Sequence, residues 1–253
     1  MIRTSGLVVA VLLLAAAIVA ARAPLSVFAA AAPLSSAGVS YVRAEGSLWR
    51  GVLHGVRVNG HSAGDVEISV RPLALARGRA GAAFQFSGDG AAGRGVLEAG
   101  LGGGVEIRDA VVIVDLQRFA YYFDEMPFLG RAELEIATLA AGPEGCRRAE
   151  GRVRTDALKA TAQTMRGTAP DLAGDLSCED GSFVVALDGA EAGDAVSLRL
   201  ALDPDLAYDI RVSVQTAETT VASLLPMLGF EEREGGFVYS QKGVLAAAAG
   251  AQS

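Results

Sequence analysis

From Val39 onward, apolar and polar residues alternate with a period of two, in short runs separated by glycine-rich turns. Successive side chains of a strand point to opposite faces, so each run reads as a strand with one buried and one wet face. Asp65-Val66-Glu67-Ile68-Ser69-Val70 puts Val66, Ile68 and Val70 on one face. The pattern recurs in Val105-Glu106-Ile107-Arg108, in Arg131-Ala132-Glu133-Leu134-Glu135-Ile136, and over 196–202 and 208–215, while 110–114 is apolar throughout. Turn signals stand between the runs: Gly88-Asp89-Gly90, Gly102-Gly103-Gly104, Gly142-Pro143-Glu144-Gly145, Glu179-Asp180-Gly181 and 189–193. Strands of this kind belong to antiparallel sheets, so the chain is expected to be mainly β. Gly46, Gly130, Gly151 and Gly174 each read as opening a strand. Two short helices are expected. Asp115 caps a turn or two through Phe119 and Tyr122, and Thr219 or Thr220 caps 221–228, with Pro226 shortening that helix and Gly229 stopping it.

The N-terminus has a different period. Residues 7–21 are an uninterrupted apolar run, with Arg3 before it and Arg22 after it. A helix between the two arginines is about 27 Å long at ~1.5 Å per residue. That crosses a hydrocarbon core of ~30 Å when both arginines snorkel. The rival reading is a cleaved secretory signal ending at Ala21-Arg22-Ala23, but Pro24 directly after the scissile bond is a poor processing substrate. The expected organisation is a cytoplasmic tail and transmembrane anchor over 1–22 and an Ala-rich spacer, or a continuation of the anchor helix, over 23–38. One β-domain follows over 39–245, and then a disordered tail over 246–253. The positive-inside tendency puts Met1 in the cytoplasm and the rest across the membrane.

Cys146 and Cys178 are 32 residues apart and match no zinc spacing. In an oxidising compartment they read as one disulfide, closing a loop worth about 3–4 kcal/mol in the chain-entropy model, with two buried free thiols as the alternative.

Motifs for chemistry are missing. The sequence has no phosphate-binding Gly-x-x-x-x-Gly-Lys and no His-Glu-x-x-His helix. His54 and His61, seven apart along what reads as one short strand, fall on opposite faces and make no metal or catalytic pair. Glu231-Glu232 and Asp124-Glu125 read as solvated turns. A net charge of −7 gives no basic field for nucleic acid. No enzyme, cofactor or metal is expected. Trp49 sits between Gly46 and Gly51, either closing one end of the sheet's core or serving as an ordinary core aromatic. Tyr121-Tyr122-Phe123 and Met126-Pro127-Phe128-Leu129 form an aromatic cluster that reads as a contact patch or as local core.

Four features together resemble the type II secretion system protein N family, a general secretion pathway component. They are the short tail with one apolar span, and Gly46-Ser47-Leu48-Trp49-Arg50-Gly51. The third is Arg71-Pro72-Leu73 with Gly78-Arg79-Ala80. The fourth is Phe128-Leu129-Gly130-Arg131-Ala132-Glu133-Leu134 together with Tyr208-Asp209-Ile210 and Leu228-Gly229-Phe230. Ser47 stands where the family more often has Thr, and no Trp precedes Pro72-Leu73. The resemblance implies a single-pass bacterial inner-membrane protein with its bulk in the periplasm. It implies a non-enzymatic part in exporting folded proteins across the outer membrane. The implied partners are the inner-membrane platform, with the outer-membrane secretin as a further candidate. It also implies an elongated, curved antiparallel sheet of the AsmA-like kind. The alternative function on the same fold is an envelope protein that binds or transfers lipid in an apolar groove. A glycan-binding sandwich is a weaker third, since it wants several exposed aromatics and the chain has one Trp.

Overall fold

The computed structural model describes residues 24–31, 38–47, 49–58, 61–75, 78–100, 103–119, 129–164, 167–205, 207–233 and 235–244. Among them fifteen strands form one antiparallel sheet. The strands are β1 Val39–Ser40, β2 Arg43–Ser47, β3 Arg50–Val58, β4 His61–Val70, β5 Arg79–Ser87, β6 Ala91–Gly100, β7 Val105–Asp115, β8 Arg131–Gly142, β9 Gly145–Thr155, β10 Leu172–Glu179, β11 Ser182–Glu191, β12 Asp194–Leu202, β13 Ala207–Gln215, β14 Glu231–Arg233 and β15 Gly236–Val244. From β3 to β13 each strand pairs with the next in sequence, an uninterrupted meander. β1 and β2 both lie against β3 at one end, and β15 followed by β14 finish the other.

The turn residues set this register. Asp180 (φ 49°) and Gly181 (φ 85°) join Glu179 to Ser182, and Ala192 (φ 55°) and Gly193 (φ 97°) join Glu191 to Asp194. Two successive residues of positive φ make the tight hairpin turn whose twist matches the strands.

Directly paired residues share a face. Following the pairs across the sheet puts Leu53, Val66, Phe86, Gly93, Val112, Leu134, Val153, Gly174, Leu187, Leu198, Val212 and Tyr239 on one side. Asp65, Glu67, Arg94, Glu133, Glu135, Arg152, Arg154, Asp175, Asp188, Arg199, Arg211 and Lys242 take the other. The sheet thus has an apolar face and a face that carries most of the charges, with Val111, Ile113 and the buried Val184 standing among them. Where the alternation slips, a bulge restores it. Asp109 (φ 48°) is the extra residue in β7, so Ile107 and Ala110 both reach the apolar side.

Two buried clusters lie on the apolar face. One joins Leu25 and Ala29 to Leu53 and Val56, and the other joins Leu172, Leu187 and Val196. The residues between them, including Val66, Phe84, Phe86, Val112 and Leu134, are half-buried, and Leu97 and Val105 are exposed.

Helices are short. α1 Leu25–Ala31 lies in the stretch read as spacer or anchor continuation, and its Leu25 and Ala29 pack on the sheet. α2 Pro72–Leu75 and α4 Ala157–Thr164 had no expectation attached. α3 Leu116–Phe119 follows Asp115, whose Oδ1 accepts the Gln117 N–H at 3.1 Å, as expected up to Phe119. Before α5 Thr219–Leu224 the cap differs. Glu218, not Thr219 or Thr220, is the N-cap, and the helix tightens into a 3-10 turn, Leu225–Leu228, around Pro226 before stopping at Gly229 (φ 84°). Gly46, Gly151 and Gly174 lie inside strands rather than before them, and only Gly130 precedes one. The apolar run 7–21 and the tail 246–253 lie outside the described residues. Among the described residues no helix is long and apolar enough to cross a membrane.

Candidate functional site

The Gly46–Trp49–Gly51 element is the hairpin between β2 and β3. Gly46 (φ 87°) pairs with Gly51, and a Cβ on Gly46 would stand 2.6 Å from the Arg50 carbonyl oxygen. A Cβ on Gly51 would stand 2.5 Å from Leu25 Cδ2, so the missing side chain is the seat of α1. Trp49 is half-buried in the turn, and its carbonyl accepts the Ser69 hydroxyl at 3.2 Å. Pro72 begins α2, the position where its fixed φ and missing N–H cost nothing. α2 lays the buried Ala74 over Gly81, where a Cβ would come within 2.7 Å of the Ala74 methyl. Gly51 and Gly81 therefore seat two helices, with Gly46 and Trp49 in the hairpin beside the first and Pro72 opening the second. They do not converge on a ligand.

Cys146 and Cys178 form a disulfide with a Cα–Cα distance of 5.7 Å. The β9–β10 ladder stops at the Leu176–Gly151 pair, and the bridge holds the two strands beyond that point.

The histidines are placed differently from the expectation. His54 is in β3 and His61 opens β4, so they are not on one strand. His54 donates through Nδ1 to Asp65 Oδ2 at 2.9 Å and, when protonated, through Nε2 to Glu45 Oε2 at 3.3 Å. Gly55 (φ 61°) sits at a bulge, and its N–H goes to Asp65 Oδ1 at 3.0 Å. The hydrogen bond to Asp65, against some desolvation, holds His54 above its ordinary pKa. The Gly55 N–H and then His54 hold Asp65 below the usual range.

A second charged group spans β5 to β7 on the polar face. Arg79 Nη1 donates to Glu98 at 3.0 Å and to Glu106 at 2.8 Å, and Arg108 Nε donates to Glu106 at 2.7 Å. The Arg108 hydrogen bond above all, opposed by desolvation, lowers Glu106 to about 2. Neither group was legible in the sequence, because each joins residues from different strands. Both contain only mutually neutralising ions. Glu231 and Glu232, expected in a turn, are exposed on β14. Asp124, Glu125 and the aromatic residues 121–128 lie outside the described residues. Among the described residues no three His, Cys, Asp or Glu side chains gather as a metal site would require.

The largest continuous feature is thus the two-sided sheet itself. The family model described as "Type II secretion system (T2SS), protein N" matches residues 37–240, from before β1 into β15. Type II secretion system protein N of Vibrio cholerae serotype O1 (strain ATCC 39315 / El Tor Inaba N16961) is 26% identical over 219 residues, 82% of this chain and 86% of that protein. No solved structure matches the chain. The family match takes in nearly the whole meander, and on that ground the chain belongs to the type II secretion system protein N family.

Proposed function

We propose that this chain is a non-enzymatic component of the type II secretion system, anchored in the bacterial inner membrane by residues 7–21 and placing its sheet in the periplasm. The observation that carries the reading is the match of the family to one continuous sheet rather than to a pocket or a cluster of reactive groups. The seat of α1 supports the anchor. Leu25 is buried on Gly51, so an anchor ending at Arg22 would enter the sheet's N-terminal end with almost no slack. The path runs through fourteen strands, so at ~4.8 Å per strand the far end lies roughly 60 Å along the sheet from the anchored one. A tether at one end raises the effective concentration of the other for platform or secretin partners. The acidic balance of the chain favours basic patches on them.

The test is genetic and biochemical. In a strain lacking the chain, export of a folded type II substrate is measured with the intact chain restored and with a form whose residues 7–21 are replaced by a cleavable signal. The reading expects export to depend on the chain and to fall with the untethered form. Export unaffected by deletion would overturn it.

One observation favours a second reading, lipid binding on the apolar face. Leu97 is 39% and Val105 43% exposed there, beside half-buried Phe84 and Phe86. Phospholipid co-purifying with the chain in stoichiometric amounts, and lost on Leu97→Lys, would support it.

A further inference from the structure

We propose that the C-terminal end of the sheet is completed by a second copy of this chain, the β15 strands of the two copies pairing antiparallel about a twofold axis. The inference goes beyond the secretion reading and is tested without it. β14 covers β15 only from Gly236 to Val238. Among the described residues, Tyr239 to Val244 pair with β13 alone. In an antiparallel strand alternate residues turn their N–H and C=O to opposite sides. The two-residue hairpin that pairs Arg233 with Gly236 turns the even-numbered residues outward, which leaves Ser240, Lys242 and Val244 as the open edge. Natural sheets guard such edges with proline, bulges or charge. Here there is no proline and no bulge, and the one charged side chain, Lys242, is paired to Asp209 at 2.8 Å.

Beside this edge lies an uncovered apolar patch. Leu224 is 50%, Met227 82% and Leu228 47% exposed. The next residues, Gly229 and Phe230, stand against Tyr239, the two rings 5.4 Å apart. Tyr239 pairs with Val212, so the patch borders the edge on the apolar face.

One symmetry operation accounts for both. Pairing that sets Gln241 opposite its own copy sets Ser240 opposite Lys242 and Tyr239 opposite Gly243, with no like charges facing, and ends there, because Val244 would fall opposite Val238, which β14 already holds. Shifting two residues towards the C-terminus puts Lys242 on Lys242, and shifting the other way runs into β14. The axis is perpendicular to the sheet, so both apolar faces lie on the same side and the two patches flank it. A surface beside a twofold axis is covered by its own copy.

The test places a cysteine on the axis of the full chain, Gln241→Cys. Cys146 and Cys178 are already bonded to each other, so the new thiol is the only one. Directly opposed strand residues lie about 4.5–5.5 Å apart, within disulfide reach. Mild oxidation in membranes is expected to give a covalent dimer, while Arg43→Cys at the opposite edge stays monomeric. Adding Met227→Asp, a change on the surface, is expected to cut the dimer yield about tenfold, as loss of an interface anchor does. The proposal is overturned if Gln241→Cys yields no more dimer than Arg43→Cys. It is equally overturned if the dimer forms only after removal of residues 245–253, which would mean that the chain's own tail takes this edge.

Discussion

The two ends of the sheet are stabilised by different means. At the N-terminal end a glycine hairpin makes room for α1, whose Leu25 and Ala29 cover Leu53 and Val56. The edge there is guarded: β2 is short and carries a left-handed Gly46, and Pro24 bridges Ser47. Towards the C-terminal end the core of Leu172, Leu187 and Val196 lies at one end of the strands, a covalent bridge ties β9 to β10 at the other, and the last strand of the sheet is left half open. The two clusters share no residue. A single sheet layer has no second sheet to couple them, so each end should respond to its own changes. The N-terminal end is built to receive a segment of its own chain, and the C-terminal end to receive another polypeptide.

The largest test of this contrast is the disulfide. Replacing Cys146 and Cys178 together by Ser is expected to cost about 3–4 kcal/mol. Amide exchange should accelerate across β9 to β12 and stay unchanged in β3; equal acceleration in both would make the sheet one cooperative unit and end the comparison. Leu53→Ala is next, with about 2–3 kcal/mol lost through the cavity beneath α1. Its exchange signature should be the reverse, confined to β2–β4. Gly51→Val should displace Leu25 for about 1–3 kcal/mol of overpacking and expose α1 to proteases. An α1 that stays protected would show that its seat is elsewhere.

The smallest effects are electrostatic and differ in sign. Glu106 is lowered from 4.5 to about 2, so its pairing stabilises the fold above about 4.5 and is lost as pH falls towards 2. Glu106→Gln should flatten that acid limb in thermal melts. His54 is raised above 6.5, so its contribution is full below 6.5 and is lost as pH rises through the folded value. The melting difference between the native chain and His54→Gln should therefore shrink on going from about pH 5 to about pH 8. A difference that grows with pH would contradict the assigned pairing.

Much of the sheet is legible in the chain because its strands follow strict alternation. The runs at 65–70, 131–136, 196–202 and 208–215 all lie within strands. β6 and β9 gave no such signal. Their apolar positions are filled by small residues, Gly93 and Gly95 in β6, and Ala149 and Gly151 in β9. The missing bulk comes from across the ladder: Phe86 lies over Gly93, and Phe84 over Gly95. A hydrophobic period cannot show a strand whose apolar side is supplied by its neighbour. The His54 and Glu106 groups were hidden for a related reason, since only the register and its bulges bring their members together. The glycine hairpin around Trp49 was legible as a motif, but not its purpose, because Leu25 reaches Gly51 from outside the sheet.

The central claim is that this two-faced sheet works by contact with other secretion components. It is tested most directly by crosslinking the tagged full chain in cells that assemble the apparatus, with photoreactive residues at Ser240 and Met227 and, for contrast, at Arg43. Crosslinked proteins and lipids are both identified by mass spectrometry. The account predicts platform or secretin subunits joined to the C-terminal positions, together with a second copy of the chain, and few or none at Arg43. Phospholipid captured at every position, with no secretion subunit at any, would contradict it.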